Sequence, residues 1–127
     1  MIALSMQLVT QSAMSLDVLW HEALSEVVAQ LHRGGYVVDP DINSESLDEY
    51  GFIQQFRVVP GPATLIAARD DRGMGSVGIL LIGHKFGLPA ERVGKDQSIW
   101  DRLETVRSTL EKTYFVAAEI FDPEQQD

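Results

Sequence analysis

The sequence predicts an α+β fold, a two-layer sandwich in which a mostly antiparallel sheet of about five strands carries two long helices on one face. Three observations predict it. Apolar and small or polar residues alternate at the start of the chain, two later segments repeat apolar residues at three- and four-residue steps, and between those segments extended runs are separated by compact turn chemistry.

The alternation is Ile2, Leu4, Met6 and Leu8 against Ala3, Ser5 and Gln7, a period of two that puts one apolar face on a strand over residues 2–9. Met6 and Met14 are alternative starts to Met1. Leu16, Leu19, Trp20, Ala23, Leu24, Val27, Val28 and Leu31 then fall on one side of a helix. Ser15 is its expected N-cap, Asp17 suits the positive end of its dipole, and His32 and Arg33 suit the negative end. Gly34 and Gly35 supply the turn that stops it. Tyr36-Val37-Val38 is a short extended piece ended by Asp39-Pro40. Asp41 to Glu49 is expected to be an acid-rich connection with one helical turn over residues 44–50.

Residues 52–59, 63–69 and 76–82 read as three strands, broken by Pro60-Gly61-Pro62 and Asp70-Asp71-Arg72-Gly73, which favour an antiparallel meander. Val77 to Ile82 shows no alternation, the pattern of a central strand covered on both faces. A Gly-rich, partly basic connection over residues 83–95 leads to the second helix. There Ser98 and Asp101 have capping-box spacing, and Ile99, Trp100, Leu103, Val106 and Leu110 form the buried stripe. Residues 114–121 read as the last strand, stopped by Asp122-Pro123. The organisation is one domain over residues 1–122 and a flexible acidic tail over 123–127. The order β, α, meander, α, β is similar to ferredoxin-like and related split β-α-β topologies, which leave one sheet face open and so predict a homodimer that covers it.

Charge excludes some functions and locates others. The 127 residues carry 19 acids against 10 Lys and Arg, a net charge of −9, which opposes nucleic-acid binding because phosphate neutralisation dominates that affinity. The chain has no Cys, so thiol catalysis, disulfides and cysteine metal sites are excluded. No apolar run approaches the ~18 residues that span a bilayer, and no basic leader precedes Arg33, so a cytoplasmic address is expected. The first 56 residues hold eight acids and one base, and the last 15 hold four acids and none, whereas residues 57–112 hold nine bases and seven acids.

Several motifs fail on inspection. Gly73-Met74-Gly75-Ser76-Val77-Gly78 satisfies G-x-G-x-x-G but runs into an apolar strand, so a hairpin turn is expected rather than a dinucleotide loop. Gly87 to Asp96 misses the P-loop spacing. His21-Glu22 lacks the second His of a zincin pair, and Asp17, His21 and Ser25 at four-residue steps read as surface pairing along a helix. No catalytic set, metal site or cofactor is expected.

His84 is the histidine best placed to touch a ligand, beyond the most apolar strand and near Lys85, Arg92 and Lys95, cations suited to a small anionic ligand. Asp39, Asp41, Glu45, Asp48 and Glu49 form an acidic stretch suited to docking a basic protein. The leading expectation is a non-enzymatic binding or adaptor protein, dimeric, taking a protein partner or a small ligand. The alternatives are a small-molecule enzyme of isomerase or lyase type using His84 with Lys85 or Arg92, and an acidic nucleic-acid mimic that blocks a basic protein.

Overall fold

Eight elements follow one another in the computed structural model, which describes residues 1–8, 15–46, 51–59, 63–72, 75–83, 97–114 and 116–123. They are β1 (Ile2–Leu8), α1 (Leu16–Arg33), β2 (Val37–Ser46), β3 (Gly51–Val59), β4 (Ala63–Asp70), β5 (Ser76–Gly83), α2 (Gln97–Tyr114) and β6 (Val116–Phe121). The strands form one six-stranded sheet in the order β2-β3-β4-β5-β1-β6, antiparallel at every pairing. The α+β two-layer arrangement is therefore as the sequence predicts, with one strand more than the expected five.

The topology interleaves two crossovers. β5 and β6 are both antiparallel to β1, which lies between them, so β5-α2-β6 is a split β-α-β unit. β1-α1-β2 is a second one, with β5, β4 and β3 between its strands. Crossovers of one hand place their helices on the same side of a sheet, and here α1 and α2 pack on each other and on that shared face. The core lies between. Ile2, Leu4 and Met6 of β1, Leu65 and Ala67 of β4, and Val77, Ile79 and Leu81 of β5 meet Leu19, Ala23, Val27 and Leu31 of α1 and Leu103, Val106 and Leu110 of α2.

Local chemistry sets the helix ends. Ser15 accepts the Val18 N–H at 3.2 Å through its hydroxyl, the expected N-cap. At the other end of α1 the Tyr36 N–H reaches the Leu31 carbonyl and the Gly35 N–H reaches the His32 carbonyl, each at 3.0 Å. Gly35, at φ +89°, takes the left-handed position of this Schellman closure. Arg102 of α2 donates to the Gln30 carbonyl at 3.3 Å, which also accepts the Gly34 N–H, setting a cation at the negative end of the α1 dipole.

Four expectations are corrected. The acid-rich segment is not a connection ended by Asp39-Pro40, because β2 runs through it to Ser46, and the helical turn expected over 44–50 is absent from residues 44–46; residues 47–50 lie outside those described. Pairing with β3 overrides weak local propensity, and the ladder register shifts between Asp39 and Asn43, an edge-strand irregularity that accommodates Pro40, which has no N–H to donate. Ser98 is not a cap but a residue inside α2, where Gln97 Nε2 instead donates to Asp101 Oδ1 at 2.9 Å. Tyr114 closes α2 rather than opening the last strand. Finally, β5 is central but has only one face under the helices.

Candidate functional site

The candidate site is the second face of the sheet. Alternation puts Thr64, Ile66 and Ala68 of β4, Gly78, Leu80 and Ile82 of β5, and Ala3 and Ser5 of β1 on the side away from α1 and α2, and no described element packs over them. Two transverse rows run across this face. One is Gln55, Ile66, Leu80, Ala3 and Phe121, and the next is Ile53, Ala68, Gly78, Ser5 and Glu119, each residue directly opposite its neighbours in the ladder. The first row is bulky at its centre and the second is small there, so a ridge lies beside a trough.

The trough is a concavity of about 290 Å³ lined by Ser5, Ile53, Ala68, Asp70, Ser76 and Gly78, among others. Gly78 sits in the interior of a central strand and a Cβ built on it meets nothing within 4 Å. A glycine at such a place weakens the strand, because it brings no side chain to pack. On this face β4, β5 and β1 carry no charge except Asp70 at the strand end, while Asp39 and Arg57, opposite each other on β2 and β3, and Glu119 on β6 stand at the sides. An apolar centre with a charged rim is the anatomy of a protein interface.

The turn at the end of the trough confirms the reading of the glycine motif. Asp70 Oδ1 accepts the Arg72 N–H at 3.0 Å, Gly75 at φ +81° donates to the Arg72 carbonyl at 2.9 Å, and Asp70 pairs with Ser76 in the β4–β5 hairpin. The segment leads into strand β5 at Ser76 and not into a helix, which is the context of a hairpin turn.

The helix side holds paired surface charge. Arg69 meets Asp17 at 2.8 Å and Asp71 at 3.3 Å, over the Phe52 ring at 5.8 Å, so the Asp17 carboxylate ties α1 to β4. His21 Nδ1 lies 2.9 Å from the Asp17 carbonyl, and both side chains are about two-thirds exposed. This is the expected pairing along one helix and not a triad held against an oxyanion site. On α2, Arg107 contacts Glu104 and lies 2.9 Å from Glu111. The hydrogen bond from Arg107 holds the Glu104 carboxyl below its ordinary range, and the carboxylates raise the Arg107 guanidinium further.

Of the residues singled out in the sequence, Asp39 is exposed on β2, and Asp41 and Glu45 lie on the same edge strand. Asp48, Glu49, His84, Lys85, Arg92 and Lys95 lie outside the described residues. Among the described residues no three His, Asp or Glu gather as metal ligands, and no helix is long and apolar enough to cross a membrane. The ridge and trough escaped sequence reading because β5 is apolar on both faces. The signal that could have found them is Gly78 interrupting that run opposite Ala68 and Ser5.

No protein-family model matches the sequence, and comparison with curated proteins finds no match. The class this chain belongs to is thus defined by its fold and surface alone.

Proposed function

We propose that this chain is a non-enzymatic cytoplasmic binding protein whose working surface is the open face of the sheet, where it docks another protein. The carrying observation is the uncharged centre of that face, Ile66, Leu80 and Ile82 beside the Ala68–Gly78–Ser5 trough, on a sheet whose other face already supplies the core. Contiguous apolar surface of this kind marks interaction sites in soluble proteins. The trough stands at about the lower limit of small-molecule pockets, ~300 Å³, which supports a protein surface over a small ligand, although Arg69, Asp70 and Arg72 line its end. Asp39, Asp41 and Glu45 add acids at the β2 edge, where they influence the rate and salt dependence of encounter more than its strength.

The test uses Nile red, a neutral dye that a net charge of −9 does not repel, at protein concentrations dilute enough to sediment as a single chain. The expected result is enhanced dye fluorescence that Ile66→Gln combined with Leu80→Gln removes while circular dichroism stays unchanged. Enhancement that survives both substitutions would place the apolar surface elsewhere and contradict the proposal.

A further inference from the structure

We infer that the partner of the open face is a second copy of this chain, packed sheet against sheet about a two-fold axis that crosses the strands between the ridge and the trough. The inference rests on the reading of that face as a docking surface and names its occupant.

The geometry is self-complementary. Ile66 and Leu80 of the ridge lie one row from Ala68 and Gly78 of the trough, on the same strands. An axis perpendicular to the strands and midway between the two rows exchanges them. It sets Leu80 over the partner's Gly78 and Ile66 over the partner's Ala68, and by symmetry the reverse, which is the defining property of an isologous interface. Two copies have the same twist, so their sheets stack at about −30° and about 10 Å apart, with the closest contact at the centre, where β5 lies. Open space above Gly78 is what an incoming leucine requires.

Area and charge favour the same occupant. Six strands spaced about 4.8 Å apart, overlapping over about six residues of about 3.4 Å, give a flat face of roughly 600 Å². Corrugated by side chains, that approaches the ~800 Å² per partner of a stable complex. The middle three strands carry only Asp70 as a charge on this face, so two acidic chains meet where neither bears its acids. A basic partner would find no acids at that centre.

Sedimentation velocity over a range of concentrations tests this. The natural chain should sediment at twice the chain mass at high concentration, and Gly78→Leu should abolish association, since the added side chain meets Leu80 of the partner subunit, with urea stability of the single chain retained because nothing within the fold is displaced. The decisive variant exchanges the rows at this strand, Gly78→Leu with Leu80→Gly, which should restore the dimer. A chain that stays single at all concentrations overturns the inference, and if Nile red still reports the face, the docking reading stands without it. A dimer that persists in Gly78→Leu, or an exchange that fails to restore association while its fold is intact, also overturns the inference.

Discussion

Tyr114 shows how much a single side chain can settle. Its phenol donates to Glu22 Oε2 at 3.0 Å, joining the end of α2 to α1. That hydrogen bond raises its pKa above the ordinary phenol value, with burial and the charges of Glu22 and Glu26 adding to the effect. The proton is thus held more tightly in the folded chain than in the unfolded one. The stability this contributes is complete below the ordinary phenol pKa, about 10, and is lost as pH rises through the higher folded value. Ultraviolet titration of phenolate should find one of the three tyrosines ionising late, and Tyr114→Phe should abolish that late step; unchanged titration in the variant would refute the assignment. Sequence reading placed this residue at the start of a strand because Tyr114 to Phe121 is a near-continuous apolar run, broken only by Glu119. Only the partner across the helix pair, 92 residues away, reveals its role.

At the scale of elements, α1 was legible in full, because its cap, its stripe and its glycine stop all agree. The stripe of α2 was equally clear, and it carries the larger consequence: Leu110 is fully buried between α1 and the sheet, so Leu110→Ala should cost about 2–5 kcal/mol in urea unfolding, and a loss under about 1 kcal/mol, the range of an exposed site, would contradict this packing. Strands β3, β4 and β5 were found to within a residue by turn chemistry. β2 was missed beyond Val38, since Asp39-Pro40-Asp41 and the Ser, Asn and Glu that follow have low strand propensity, and the ladder to β3 that overrides it is a non-local fact. The face of β5 was misjudged for a related reason: an unbroken apolar run states that both sides avoid water but not what covers each. The structure covers one side with helices. The other is what the binding proposal explains.

For the whole molecule, the net charge of −9 and the exposed pairs on α1 and α2 surround a sheet that is neutral at its centre. The helix face builds the fold, and no described element packs on the opposite face, which the proposal makes the binding surface, a division that places two neighbouring leucines in different roles. Leu81 is 2% exposed, inside the core, whereas Leu80 is partly exposed on the ridge. Urea unfolding of Leu81→Ala and Leu80→Ala, at concentrations where the chain is single and paired with sedimentation at higher concentration, tests that division most directly. Leu81→Ala should lose about 2–5 kcal/mol. Leu80→Ala should lose a small fraction of that and yet no longer associate. Equal losses of stability, or association that survives Leu80→Ala, would contradict the account.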